Sequence, residues 1–107
     1  MSEPTSPVSR PWKAYQTEVL RDPDAARAYL DVAMQAYEED GNRRAFLLAL
    51  RTVADAQGGI GALAHRTSVS RQHLYRALSE HGNPTFETLL VVMKALGLRF
   101  SVERAGG

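Results

Sequence analysis

Two short helical segments separated by four residues constrain this chain more than any other feature of it. Residues 60–66 and 71–79 each carry apolar positions at helical spacing, and Thr67, Ser68, Val69 and Ser70 lie between them. Helices of about two turns are unstable alone, so each must bury a face against the other and against its neighbours. Two short helices meeting across a tight turn need a small residue where they touch and apolar residues pointing into the angle. Ala64 supplies the small contact, Leu63 and Leu74 point inward, and Val69 anchors the turn. Ser70 is placed to cap the second helix, because a serine oxygen there accepts a free backbone N–H. The spacing predicts a helix-turn-helix over residues 60–79. The turn position commonly held by glycine, for its tolerance of positive φ, is Ser68 here, which weakens the turn without excluding it.

The flanking sequence reads as helices that complete a core. Asp22 and Pro23 signal a helix start, since Asp caps free N–H groups and Pro loses nothing at the first position. A helix is expected over residues 23–39, burying Ala26, Leu30, Ala33 and Tyr37, with Gly41 as its stop. A second, over residues 43–57, carries Phe46, Leu47, Leu50, Val53 and Ala54 on one face and ends at Gly58 and Gly59. Tyr29, Tyr37 and Phe46 read as core, because one face must be filled before any ligand is invoked. A fifth helix follows Asn83, Pro84 and the N-cap Thr85, with Phe86, Leu89, Leu90, Met93 and Leu96 as its buried stripe and Gly97 as its end. Leu98, Phe100 and Val102 then alternate with Arg99, Ser101 and Glu103, the period of a half-buried strand. No second strand is visible, so this one is expected to pair with its copy in a dimer or with another protein. Residues 1–20 read as a flexible N-terminal segment, in which Trp12, Tyr15, Val19 and Leu20 give 12–20 some apolar surface; residues 21–107 read as one all-α domain with a short C-terminal strand.

The first turn of the second short helix holds the side chains that carry chemistry. Arg can donate two hydrogen bonds to guanine and Gln can pair bidentately with adenine, so Arg71 and Gln72 are the principal candidate base readers. His73, Tyr75 and Arg76 follow along the same helix; Ser70, Ser79 and the backbone N–H groups near Gly61 and Asn83 suit phosphates. The plain alternative is that Arg71, Gln72 and Arg76 only solvate an amphipathic helix. Charge gives slight support to DNA: Arg66, Arg71, Arg76, Lys94, Arg99 and Arg104 outnumber Glu80, Glu87 and Glu103 by three from residue 60 onward, which leaves the first 59 residues at −2.

Other chemistries are poorly served. With no cysteine among 107 residues there is no disulfide, thiolate nucleophile or Cys-ligated zinc, which fits a reducing cytoplasm. No leader-like or membrane-spanning apolar run is present. His65, His73 and His81 recur every eight residues, but the first two sit on different helices and no further ligand converges on them, so no metal is expected. Ser70, His73 and Glu80 lack a pocket in which to act as a hydrolase, and Gly58, Gly59 and Gly61 lack the Lys and Ser/Thr of a phosphate loop. No catalytic residue and no cofactor is expected.

As a whole the chain resembles the probable addiction-module antidote family, HigA-like antitoxins built on a phage-repressor-like (Xre/Cro) helix-turn-helix. The resemblance rests on DPDAARAYLDVAM, AFLLALRTVADAQGG, LAHRTSVSRQHLYRALSEHGNPTFETLLVVMKALGL and the closing RFSV, in that order. It implies a five-helix, lambda-repressor-like domain that dimerises, binds a palindromic double-stranded operator, represses its own operon and inhibits a small toxin by direct contact. The family's DNA-reading helix maps to residues 70–78 and its capped fifth helix to 85–97. Charge suggests that residues 12–20 and the carboxylates of Asp31, Glu38, Glu39 and Asp40 face a basic toxin. A stand-alone prophage-type repressor without a toxin, and an interaction adaptor that has lost DNA binding, are the alternative readings.

Overall fold

The computed structural model describes residues 16–106. Five helices carry the fold: α1 Pro23–Asp40, α2 Arg43–Ala56, α3 Gly59–His65, α4 Arg71–Ala77 and α5 Phe86–Ala95. Residues 16–19 are also helical. Leu20 follows them into the core, and Gln57 Nε2 donates to its carbonyl at 3.5 Å. Of the flexible segment expected over residues 1–20, residues 1–15, Trp12 and Tyr15 among them, lie outside the described residues. Among the described residues no helix is long and apolar enough to cross a membrane.

Side-chain caps set where the helices begin. Asp22 accepts the Ala25 N–H at 3.2 Å with Pro23 in the first turn, and Asn42 accepts the Ala45 N–H at 3.1 Å. Ser70 caps α4 through the His73 N–H at 3.1 Å, and Thr85 caps α5 through the Thr88 N–H at 3.1 Å. Each such cap contributes about 1 kcal/mol. α1 stops where Gly41 turns to φ 70 and sends its N–H back to the Tyr37 carbonyl, a conformation that costs glycine little.

α2 lies at the centre of the packing. α1 packs against it on one side, α3 packs against it next, and α4 packs on α3. Leu47, Leu50 and Val53 of α2, Leu63 of α3, Leu74 of α4, Leu78 just beyond it and Val92 of α5 are fully buried. Ala64 from the end of α3 and Val69 from the turn after it pack on this core, as their small and apolar character predicts.

The turn does not depend on glycine at residue 68. Thr67 holds it: its Oγ1 accepts the Val69 N–H at 3.2 Å and lies 3.3 Å from the Ala64 carbonyl, to which it donates. Thr67→Val keeps the shape and removes these bonds, and is expected to cost about 1 kcal/mol in urea denaturation.

Gly82 fixes the chain after α4. A Cβ at this buried position would run into the Ala77 carbonyl and come within 2.8 Å of the Arg76 carbonyl oxygen. The loop lies so close to the end of α4 that only glycine fits. Gly82→Ala is expected to destabilise the protein by about 1–3 kcal/mol, read from its denaturation midpoint, because backbone rather than a flexible side chain must give way.

Two expectations require correction. On α5 the buried face is rotated: Thr88, Val92 and Met93 are buried, whereas Phe86 and Leu90, expected inside, are 66% and 43% exposed. α5 is apolar almost all round, so spacing alone selects no single face. Thr88 is acceptable inside because its Oγ1 takes a hydrogen bond from Thr85 Oγ1 at 3.1 Å. The strand expected from the alternation of Leu98, Phe100 and Val102 is absent, and no strand occurs among the described residues. A ladder needs a neighbouring strand, and the segments available within the chain are helices and turns. Instead Leu98 donates its N–H to the Met93 carbonyl at 2.9 Å, with Gly97 at φ 79. Phe100 then stacks beside Phe86 with ring centroids 5.9 Å apart.

Candidate nucleic-acid interface

α4 turns one side to the core and the other to solvent. Leu74 is fully buried, and Ala77 and Leu78 are buried with it. At about 100° per residue, Gln72 and Arg76 fall opposite Leu74, with Arg71, His73 and Tyr75 on the flanks; Ser79 lies beyond the end of the helix at Ala77. Ser70, Arg71, Gln72, His73, Tyr75 and Arg76 are all exposed, and Ser79 is half-buried. Six of the seven candidate residues are thus accessible to a partner.

The two serines differ in what they can offer a phosphate. Ser70 uses its oxygen to accept the His73 N–H, so its own hydroxyl proton remains available. Ser79 donates its hydroxyl proton to the Arg76 carbonyl at 2.7 Å. A phosphate needs a donor, so Ser70 suits that role and Ser79 serves mainly to close the end of α4. The Ser70 bond is to the backbone of His73, which is the geometry of a cap rather than of a nucleophile and its base.

Long-range packing adds residues that local sequence patterns do not reveal. The Arg51 guanidinium of α2 sits 5.0 Å from the centre of the Tyr75 ring, and that of Arg71 sits 6.0 Å from it. A cation over an aromatic face contributes about 0.5–1 kcal/mol at exposed sites and restricts both partners. Asp55 Oδ1 lies 3.8 Å from Arg51 Nε, too far for a hydrogen bond, and that buried Nε has no hydrogen-bond partner. Arg51 is therefore held between the Tyr75 ring and the Asp55 carboxylate. At the other end of α2, Arg44 pairs with Glu80 at 3.3 Å and Arg43 Nη1 donates to Asn83 Oδ1 at 3.2 Å. Asn83, near which a phosphate contact is expected, thus lies beside Arg43. Gly61 lies within the first turn of α3 and is half-buried.

This packing redistributes charge. The division of the sequence at residue 60 assigns Arg43, Arg44 and Arg51 to an acidic half, but folding brings all three alongside α4 or the loop after it. Asp31 and Glu38 are exposed on α1, where a spacing of seven residues puts them on one face, with Glu39 beside them. Asp40 is drawn into the turn that follows, where Oδ1 accepts the Asn42 N–H at 3.2 Å. Among the described residues no group of three His, Asp or Glu side chains is placed to share a metal ion.

A family model described as "probable addiction module antidote protein" matches residues 13–104. A Haemophilus influenzae protein described only as an uncharacterized protein is 38% identical over 98 residues, covering 83% of this chain and 96% of the relative. No solved structure matches the chain.

Proposed function

This chain belongs to the probable addiction module antidote family, and from that membership we propose that it is the antitoxin of a type II toxin–antitoxin module. In this reading it is a cytoplasmic homodimer that binds double-stranded operator DNA, represses its own operon and neutralises a small toxin protein by direct contact. It acts by binding, not by catalysis. The HigA-like, Xre-type helix-turn-helix is the means of DNA recognition, with α3 and α4 as its two helices.

The exposed side of α4 is the observation that carries the DNA-binding half. A seven-residue helix whose Leu74 and Ala77 face the core presents Arg71, Gln72, Tyr75 and Arg76 outward. Arg and Gln are the side chains able to read guanine and adenine edges bidentately in a major groove. Ser70 and Arg51 flank that side with a hydroxyl donor and a cation suited to phosphates. The acidic face of α1 supports the other half, since exposed carboxylates steer and orient a basic partner.

Binding of the full-length protein to DNA from immediately upstream of its own gene, against scrambled DNA across a salt series, tests the first half. Discrimination of roughly a thousandfold or more is expected of a specific repressor; equal binding to both would remove the operator role. For the second half, neutralising Asp31, Glu38, Glu39 and Asp40 together is expected to weaken binding of the adjacent gene's product by about tenfold or more, leaving operator affinity intact. Unchanged calorimetric affinity would move the toxin contact elsewhere.

A further inference from the structure

Residues 98–103 are patterned as a strand, and among the described residues only Leu98, through its N–H to the Met93 carbonyl, is bonded to the rest of the backbone. Leu98, Phe100 and Val102 alternate with Arg99, Ser101 and Glu103, and among the described residues no backbone hydrogen bond engages residues 99–103. Val102 is 98% exposed. Phe100 stacks on Phe86, so the apolar side of this segment continues into the exposed Phe86 and Leu90 of α5. Free backbone groups beside an uncovered apolar surface are what an edge strand offers to a second chain.

We propose that this segment is completed by a second copy of the same chain, as an antiparallel strand pair centred on Ser101. The sequence is self-complementary about that residue. Arg99 then stands opposite the partner's Glu103, and Glu103 opposite the partner's Arg99, so two opposite-charge pairs form on one face. On the other face Phe100 meets the partner's Val102, twice by symmetry, adjoining Phe86 and Leu90. Centring on Phe100 would instead place Arg99 opposite the partner's Ser101 and Glu103 opposite the partner's Gly97. Centring on Val102 would place Arg99 opposite the partner's Ala105 and Glu103 opposite the partner's Ser101. The first of these also pairs apolar side chains, Leu98 with the partner's Val102 and Phe100 with its copy, but both leave the charges unpaired, and only the register about Ser101 joins both charge pairs to Phe100–Val102 contacts. Registers with the twofold between residues set apolar side chains against polar ones, because side chains alternate faces with period two. Self-complementarity in one register is the property of a twofold interface, where the same patch serves both subunits, and it selects a second copy over a toxin as occupant.

This inference rests on the homodimer of the proposed function and names its surface. Its test uses neither DNA nor toxin, so its failure is separable from that of the wider reading. The chain has no cysteine, so Ser101→Cys introduces the sole thiol. Opposed antiparallel residues have Cα atoms about 4.5–5.5 Å apart, within the range of about 4.4–6.8 Å that a disulfide spans. In a glutathione redox buffer S101C is expected to become a covalent dimer, two thiols passing two electrons and two protons to one glutathione disulfide. The R99C variant, whose copies would be four strand positions or roughly 13 Å apart, is expected to stay uncrosslinked. By sedimentation the wild-type protein is expected to dimerise, R99E to raise the dimer dissociation constant about tenfold, and R99E/E103R to restore it. A wild-type monomer at every concentration, crosslinking of R99C as readily as of S101C, or a charge swap that fails to rescue R99E would each overturn the proposal.

Discussion

Loss of sequence discrimination with folding retained is the expected result of replacing Arg71 and Gln72 together with alanine. Both side chains are exposed, and the core contacts of α4 come from Leu74 and Ala77, so the helix has no reason to detach. Each bidentate contact to a base edge contributes about 1–3 kcal/mol of discrimination, and the pair should remove roughly 2–6 kcal/mol, enough to abolish most of a repressor's preference for its operator. The two positions are not equivalent. Gln72 points away from the core, whereas Arg71 leans toward the Tyr75 ring, 6.0 Å from its guanidinium carbon, which limits its freedom before any DNA arrives. A fixed guanidinium reads a base at lower entropic cost than a free one. Operator and scrambled DNA titrated across a salt series separate the roles: base readers lose discrimination, whereas a phosphate contact weakens both DNAs alike and reduces the salt slope by about one. A uniform loss would reassign Arg71 and Gln72 to phosphates.

What the sequence reveals and what it conceals divide along the distance over which each feature is determined. The starts of α1, α4 and α5 are legible because Asp22, Ser70 and Thr85 each bond a backbone N–H three residues on. The burial of Leu74 is legible because polar neighbours leave α4 a single apolar direction, and that of Leu63 because it and Ile60 are the large apolar side chains of α3. α5 defeats the same reasoning: Phe86, Leu89, Leu90, Val91, Val92 and Met93 offer apolar groups in nearly every direction, and the rest of the fold decides that Val92 goes inside and Phe86 stays out. Arg51 and Arg43 reach the candidate interface through contacts with Tyr75 and Asn83, which are distant in sequence. No local pattern announces that. Gly82 and Thr67 are of a third kind. Their roles lie in a close backbone approach and a side-chain bridge, and each looks like an ordinary loop residue until the loop's path is known.

Leu74→Ala should have the opposite signature from the change at Arg71 and Gln72, although it lies only two residues away from the latter. Leu74 is 0% exposed. α4 has seven residues, too few to stay helical without tertiary contact. Removing a buried leucine costs about 2–5 kcal/mol through lost transfer energy and the cavity left behind. A domain of this size has about 5–15 kcal/mol in total, so the melting temperature should fall by at least about 8 °C, and DNA binding should decline with the folded fraction for operator and scrambled DNA alike. Circular dichroism melts beside DNA titrations distinguish the cases, because lowering the temperature should recover binding by L74A but not discrimination by R71A/Q72A. An L74A protein as stable as the wild type would mean that Leu78 and the capped start at Ser70 suffice to hold α4. In that event the exposed side would owe its position to the two ends of the helix and not to its buried face.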